Sequence, residues 1–211
     1  GMHRRSGGNP LFLEELCRSL SPDDESGEEL EEVAIPSTVQ SLIHTRVARL
    51  APRQAEVLQA ASIIGNESSR DLLRALVTDE AIDEVLAELV AAGLLRAGDA
   101  PGTLRFQHGI TREVVYDSVR VRERRRLHAE VARLLEQRYE GASLADHYEA
   151  LAIHCARAGE YQRAFEYAEL AGDKAASRSA LDRARAQYAA ALSHVEKLAQ
   201  TPELGRRWLA I

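Results

Sequence analysis

The chain of 211 residues is poor in residue types that commonly carry cofactor and redox chemistry. It contains two cysteines, one methionine and one tryptophan, and aromatic residues make up 5% of its composition. A core must therefore be built mainly from leucine, alanine, valine and isoleucine. Cys17 and Cys155 lie far apart in the sequence and show no metal-ligand spacing. This pattern gives no case for a metal site and favours a reducing, cytoplasmic location.

Lysine is nearly absent, since Lys174 and Lys197 are the two lysines among 27 basic residues. A Walker A loop needs the pattern Gly-x-x-x-x-Gly-Lys-Ser/Thr to hold nucleotide phosphates. Lys174 lies in the sequence AGDKA and Lys197 in VEKL, so neither fits that pattern. The sequence therefore excludes a self-sufficient P-loop NTPase.

Long hydrophobic runs are also missing, because no segment approaches the roughly 18 apolar residues that a membrane helix needs. The first residues are basic and lead into residues 7–10 (GGNP), which predicts no signal peptide. The net charge of −6 argues against nucleic acid or an anionic membrane as a partner. We expect a cytoplasmic protein with no membrane partner.

Helical spacing of apolar residues predicts a mainly α chain with one small β-hairpin. Asn9 and Pro10 are typical of a helix start, and residues 21–32 carry seven acidic residues and no basic one, as expected of a solvated linker. Further helices are predicted from Pro36, from Pro52, and over residues 69–77, 79–92, 110–119 and 121–138. Residues 94–96 and 104–106 flank a Gly/Pro turn, which is typical of a hairpin. Helices followed by a hairpin predict a winged helix.

Residues 143–211 are rich in alanine and predict helical hairpins similar to tetratricopeptide repeats. Gly159 fits the glycine position of such a repeat, while Ala164 and Ala171 would let two helices approach closely. The residues expected in the core or at a binding groove are Tyr148, Leu151, Tyr161, Phe165, Tyr167 and Tyr188. A stable array needs at least three repeats, and the sequence shows fewer. We therefore expect a fragment that can self-associate through its uncovered C-terminal helix.

The motifs occur in the order found in STAND-class regulatory ATPases. Residues 8–16 (GNPLFLEEL) resemble the segment that closes the ATPase module of that class. Residues 35–39 (IPSTV) and 46–50 (RVARL) resemble the start of its winged-helix region. Further similarities follow at residues 106–108 (FQH), 113–116 (EVVY) and 125–128 (RRLH). The class includes bacterial proteins with an adenylate/guanylate cyclase domain and LuxR-type transcription activators.

The resemblance implies five segments. These are an ATPase lid-helix remnant (1–20), an acidic linker (21–34), a winged-helix-like domain (35–119), a connecting helix (120–142) and TPR-like helical repeats (143–211). In the resembled class the Gly-x-Pro motif, here Gly8, Asn9 and Pro10, lies against the nucleotide base. A plain helix start explains the same residues. We therefore expect ATP or ADP as a cofactor only in the context of a full-length parent.

The catalytic motifs of the class are missing from this sequence, so we predict a non-catalytic, regulatory segment. It would couple a nucleotide-binding module to an array that senses a protein partner or other domains of the same polypeptide. Two alternatives remain open at this point. The chain is a DNA-binding transcriptional regulator acting through its winged helix, or a piece of a parent nucleotide cyclase or ATPase.

The charge of the predicted recognition helix argues against the first alternative. Residues 78–93 contain five acidic residues and no lysine or arginine, whereas affinity for DNA comes largely from basic groups that neutralise phosphates. The predicted basic cluster lies at residues 120–126, and a solvated helix face explains it. His147 and His154 lie two helical turns apart, about 10.5 Å, too far to share a metal ion.

Two sets of residues complete the predicted sites. The residues expected to couple the winged helix to the helix that follows it are His108, Tyr116, Arg125, Arg126 and His128. His108 and His128 are expected to be buried and hydrogen-bonded. The residues expected to contact a partner protein are Tyr148, Tyr161 and Phe165.

Overall fold

A computed structural model describes residues 39–78 and 80–199, which contain ten helices and three short strands. The elements are α1 (Val39–Ala48), α2 (Pro52–Ile64), β1 (Glu67–Ser69), α3 (Arg70–Leu76), α4 (Ile82–Ala91), β2 (Leu95–Ala97), β3 (Thr103–Phe106), α5 (Gly109–Ser118), α6 (Val121–Arg138), α7 (Gly141–Ala145), α8 (Tyr148–Ala158), α9 (Tyr161–Ser177) and α10 (Leu181–Ala199). The mainly α prediction is confirmed. The predicted lid-helix remnant and acidic linker, with Gly8, Asn9 and Pro10, lie outside the described residues.

The chain forms two compact units. Among the described residues, the N-terminal unit comprises residues 39–70 and 80–118, and the C-terminal unit comprises residues 71–78 and 119–199. Helix α3 therefore belongs to the C-terminal unit from Asp71 onward. There the Asp71 carboxylate accepts hydrogen bonds from Arg138 at 2.6 Å and Arg74 at 2.9 Å.

The N-terminal unit holds a three-stranded antiparallel sheet in the order β1-β3-β2. Strands β2 and β3 form the predicted hairpin, with Leu95 opposite Phe106. Strand β1 was not predicted, because its sequence Glu-Ser-Ser has no apolar alternation and little preference for a strand. Its pairing with β3 places Glu67 opposite Arg105.

Glu67 also stabilises the turn of the hairpin. Its carboxylate accepts hydrogen bonds from the Thr103 hydroxyl and from the backbone N–H groups of Asp99 and Ala100. These bonds, led by the one from Thr103, lower the pKa of Glu67. A Cβ atom at Gly98 would collide with the Thr103 hydroxyl and the Glu67 carboxylate, so the turn requires glycine at this position.

The helices of the N-terminal unit pack around α2, which contacts both α4 and α5. Pro52 starts α2 at a position where its missing N–H costs nothing. Gly93, with φ of 65°, follows the end of α4. Helix α4 begins at Ile82 rather than at residue 79 as predicted. The largest fully buried side chains of the unit include Ile43, Leu58, Ile63, Leu86, Leu89, Leu94 and Val115.

The C-terminal unit is a succession of helices in which each packs on the next. Helix α6, which matches the predicted span of residues 121–138, packs on α8, α8 packs on α9, and α9 packs on α10. Gly159 ends α8 with φ of 89°, in the left-handed region that favours glycine. The buried face of α9 consists of small residues, Ala164, Ala168, Ala171, Gly172 and Ala175.

None of the helices in the described part of the chain is long and apolar enough to cross a bilayer.

Two positions on α4 test the packing of the N-terminal unit. Leu86 is 0% exposed and Val90 is 38% exposed. We expect Leu86→Ala to lower the free energy of unfolding by about 2–5 kcal/mol, because it removes buried contacts and leaves a cavity. Val90→Ala should cost less than about 1 kcal/mol. Urea denaturation followed by circular dichroism measures both, and equal losses would contradict the packing described.

Candidate interaction cleft

A cleft of about 220 Å³ opens within the C-terminal unit, among α7, the start of α8, the end of α9 and the start of α10. Its lining combines small apolar residues with charged ones. These residues are Ala145, Asp146, Tyr148, Glu149, Ala171, Lys174, Ala175, Arg178, Ala180 and Arg183. The cleft therefore has an alanine-lined interior, one aromatic side chain and charges of both signs.

The small residues of α9 determine how closely its neighbours approach. Ala171 and Ala175 recur four residues apart, on one helix face, and are 3% and 7% exposed. Gly172 lies under the ring of Tyr188 from α10, and a Cβ atom added there would come within 2.5 Å of the ring. Glycine inside a helix costs roughly 1 kcal/mol relative to alanine, but here it provides the space that α10 needs to pack.

Three cations and two carboxylates line the cleft. Lys174 donates a hydrogen bond of 2.8 Å to the carbonyl oxygen of Ala145 and forms an ion pair with Asp146. That pairing lowers the pKa of Asp146. Arg183 of α10 pairs with Glu149 of α8 at 2.7 Å. The exposed Arg178 also lines the cleft, so the lining carries one more positive than negative charge.

Tyr148 is the aromatic residue of the lining, and a half-buried hydrogen-bond network fixes its neighbour Tyr167. The rings of Tyr148 and Tyr167 lie 6.0 Å apart. The Tyr167 hydroxyl donates a hydrogen bond of 2.5 Å to the Glu136 carboxylate, which also pairs with Arg163 at 2.5 Å. Burial and the bond to Glu136 raise the pKa of Tyr167 well above its usual value. The hydroxyl therefore stays protonated and continues to join α9 to α6.

A pair of buried histidines joins α6 to α8. His128 and His154 are 3% and 5% exposed, and their Nδ1 atoms lie 2.8 Å apart. At this distance the Nδ1–H of one ring donates a hydrogen bond to the Nδ1 of the other, so one of the two Nδ1 atoms carries the hydrogen and the other accepts it. His154 was considered from the sequence only with His147, and its partnership with His128 was missed. The pair lies about two helical turns along α8 from the cleft and fixes the helix that carries Tyr148 and Glu149.

The other predicted coupling residues fall in two places. His108 is half-buried just before α5, and Tyr116 on α5 lies under the Arg112 guanidinium, 5.8 Å from its ring centre. Both belong to the N-terminal unit. In the C-terminal unit, Arg126 pairs with Glu123 at 2.7 Å and Arg125 is exposed on α6.

The three predicted partner-contact residues have different environments. Tyr148 lines the cleft. Phe165 packs against the buried cluster of Ala152, Ala168 and Ala191, so it belongs to the helix interface. Tyr161 stacks on His194 of α10 with ring centres 6.4 Å apart. The cleft therefore includes one residue of the predicted set.

His147 and the buried Cys155 lie in surroundings that favour a role in packing. His147 precedes α8 and stacks on Tyr139 with ring centres 3.9 Å apart. Cys155 is fully buried, and burial raises the pKa of its thiol to about 11. A buried, protonated thiol is a poor nucleophile and metal ligand. Within residues 39–78 and 80–199, no group of three metal-ligating side chains lies close enough to hold an ion.

The charged residues of the cleft were missed by the sequence analysis. Lys174 was tested only as a phosphate-binding lysine, and Arg178 and Arg183 look like ordinary solvated arginines. Ion pairs between Asp146 and Lys174, and between Glu149 and Arg183, join positions 28 and 34 residues apart. Local periodicity does not report pairs at this separation. The scarcity of lysine was the one sequence feature that drew attention to Lys174.

One comparison with known proteins finds that the chain is similar to part of a longer protein. No family model matches the sequence. The chain is 34% identical over 191 residues to an uncharacterized protein of Rhizobium meliloti (strain 1021), a match that covers 86% of this chain and 18% of that protein. The chain thus spans less than a fifth of the length of the relative it matches.

The packing of α10 on α9 depends on pH through His194. This side chain is 8% exposed, and burial, followed by the charge of Lys197, lowers its pKa from 6.5. The unfolded chain therefore binds a proton at a higher pH than the folded chain does. The contribution of His194 to the free energy of unfolding is therefore retained in full above pH 6.5, and it is lost as the pH falls through that value towards the lower pKa of the folded state.

We expect His194→Gln to reduce the loss of stability on acidification from neutral pH, because glutamine does not titrate. Thermal unfolding at a series of pH values measures this dependence. His44→Gln, which changes an exposed histidine of α1, should preserve the wild-type profile. A profile for His194→Gln that matches that of the wild type would contradict the assignment.

Proposed function

We propose that this chain is a non-catalytic, regulatory segment of a signal-transduction ATPase, and that its C-terminal unit binds a peptide of a partner protein. The observation that carries this proposal is the cleft among α8, α9 and α10. Its interior is lined by alanines, and it has one tyrosine and an excess of one positive charge. Stacked helical hairpins commonly form a groove, and a peptide of a partner protein is a ligand that fits such a groove.

The chemistry of the lining favours an acidic peptide. Arg178 lies exposed at the cleft, where it can accept a carboxylate without first breaking an ion pair with Asp146 or Glu149. Tyr148 offers a flat apolar ring with a polar tip, which suits contact with a side chain next to that carboxylate. Because the cleft is open to water, we expect modest affinity that weakens as salt is added.

We further propose that the N-terminal unit is a winged helix that contacts protein rather than DNA. Along the sequence, the order from α2 to β3 is helix, strand, helix, helix, strand, strand, although α3 from Asp71 onward belongs to the C-terminal unit. In the N-terminal unit, β3 lies in the middle of the sheet. This order supports a winged helix with α4 as its recognition helix. The exposed side of α4 carries Asp83, Glu84 and Glu88, which would repel a DNA phosphate backbone.

The β2–β3 hairpin, which is the wing of the proposed winged helix, adds little positive charge to offset this acidic surface. Arg105 of β3 forms two hydrogen bonds of 2.9 Å with the Asp99 carboxylate in the turn. This pairing occupies one of the two arginines of the hairpin strands. The winged helix is therefore better suited to couple an ATPase module to the helical repeats than to bind DNA.

The similarity to part of a longer protein supports the proposal that this chain acts as one segment among several. The matched region is 18% of that protein, so the same sequence pattern occurs there beside a much longer polypeptide. We propose that the chain transmits the state of its peptide cleft to such additional domains. Nucleotide binding, in this proposal, belongs to those domains.

The peptide proposal is tested with a fluorescein-labelled decapeptide of alternating glutamate and serine, titrated with the full chain. We expect its fluorescence anisotropy to rise at low salt. For Arg178→Ala, the affinity should fall about fivefold, equivalent to roughly 1 kcal/mol for an exposed charge pair. Arg185→Ala is the matched control, because Arg185 is an exposed arginine of α10 that does not line the cleft.

Three outcomes would contradict the peptide proposal. The acidic peptide would fail to bind, the matching lysine–serine peptide would bind as well as the acidic one, or Arg185→Ala would weaken binding as much as Arg178→Ala.

The alternative of DNA binding makes an opposite prediction for the same assay. We expect a labelled DNA duplex of mixed sequence to show no change in anisotropy at low salt, even at protein concentrations that saturate the acidic peptide. The reason is the repulsion between phosphates and the acidic side of α4. Binding that weakens steeply with added salt would favour the DNA-binding regulator instead.

A further inference from the structure

The connection between α6 and α8 forms one wall of the cleft. It covers residues 139–147 and includes α7, and its residues Ala145 and Asp146 line the cleft. None of residues 139–147 is buried. Apolar burial therefore contributes little to holding this wall in place, and its local opening costs less free energy than the opening of α8 or α9.

Lys174 of α9 ties this wall to the rest of the C-terminal unit. Its Nζ atom donates a hydrogen bond of 2.8 Å to the carbonyl oxygen of Ala145 and pairs with the Asp146 carboxylate. The side chain of Lys174 is 22% exposed, whereas that of Asp146 is 67% exposed. The lysine thus lies mostly away from water, while the acid that neutralises it lies mostly in water.

The two carboxylates of the cleft belong to different kinds of segment. Glu149, which pairs with Arg183, lies in the first turn of α8, and α8 packs on both α6 and α9. Asp146 lies at the end of α7, before α8 begins. It can leave Lys174 without disturbing a packed helix. The lysine then needs another anion, because an unpaired charge that is shielded from water is unfavourable.

We propose that Asp146 is an internal competitor of the acidic peptide, which occupies Lys174 until a carboxylate of the peptide displaces it. The inference rests on the proposed function, because it concerns the same cleft. The exchange replaces one carboxylate by another, so Lys174 keeps a neutralising partner. The displaced Asp146 carboxylate is then hydrated.

This exchange defines a pattern of charge in the ligand. Lys174 lies in the last turn of α9 and Arg178 at its C-cap, four residues on. Side chains at this spacing lie on one side of a helix, with Cβ atoms about 6 Å apart. Alternate residues of an extended peptide also point to one side, about 6.6 Å apart. A peptide with acidic residues at positions i and i+2, such as the glutamate–serine decapeptide, can therefore reach both cations.

Asp146 stays ionised at neutral pH and so remains a competitor there. The hydrogen bond from Lys174 and the charge of that lysine lower the pKa of Asp146, and the charge of Arg178 lowers it further. Removing the competing charge at neutral pH therefore takes a substitution.

Asp146→Asn tests the competition, with the labelled glutamate–serine decapeptide and the full chain at low salt. Asparagine keeps the size of the side chain and removes its charge, so we expect the affinity for the peptide to rise about fivefold. Glu169→Gln is the matched control, because Glu169 is an exposed acid of α9 that does not line the cleft. It makes the same change in net charge and should raise the affinity less than about twofold.

A double-mutant cycle locates the competition at Lys174. Lys174→Gln removes the cation for which the two carboxylates compete, and it should weaken peptide binding. In that background, the gain from Asp146→Asn should be clearly smaller than in the wild type. Simple repulsion between Asp146 and the peptide would give an equal or larger gain, because the lysine no longer offsets the charge of Asp146. Circular dichroism must show the same helical content in every variant.

Two outcomes would overturn the inference and leave the proposed function intact. The decapeptide would bind the wild type, but Asp146→Asn would bind it no more tightly than Glu169→Gln does. Alternatively, the gain from Asp146→Asn would persist in full in the Lys174→Gln background. A decapeptide that bound neither the wild type nor any variant would instead overturn the proposed peptide binding, and the inference with it.

Discussion

The C-terminal unit depends on the close approach of helices to the small-residue face of α9. Ala164, Ala168, Ala171 and Ala175 bring α8 and α10 against this helix, and Gly172 accommodates the ring of Tyr188. Side chains of this size bury little apolar area each, so packing density and contact along the whole helix must supply the stability. Larger residues at these positions would push α10 away and separate Arg183 from Glu149.

The cleft is a consequence of the same constraint. Where α9 ends and α10 begins, alanine side chains leave space that charged residues from three elements surround. The supports of the cleft lie further back, in the buried His128–His154 pair and in the half-buried network that joins Glu136 to Tyr167. These contacts fix α6, α8 and α9 by hydrogen bonds that are directional, whereas alanine packing is not. The exposed Arg178 and Arg183 therefore lie at a cleft whose helices are also held together away from it.

The sequence predicted the elements better than it predicted the site. Helical periodicity and the breakers Pro52 and Gly93 located most helices, because these features act within a few residues of the chain. Strand β1 escaped because its residues have no strand preference of their own, and its pairing with β3 makes it a strand. The cleft escaped for a related reason, since it consists of charges that become neighbours only when α8, α9 and α10 pack.

The position of α10 depends on α9 through one close contact. Gly172 of α9 leaves room for the ring of Tyr188, and Ala184 and Ala191 on the same helix as Tyr188 are buried. A change that moved α10 relative to α9 would therefore move Arg183, which lines the cleft. Under the proposed peptide binding, the bound peptide and the packing of α10 on α9 are coupled in both directions.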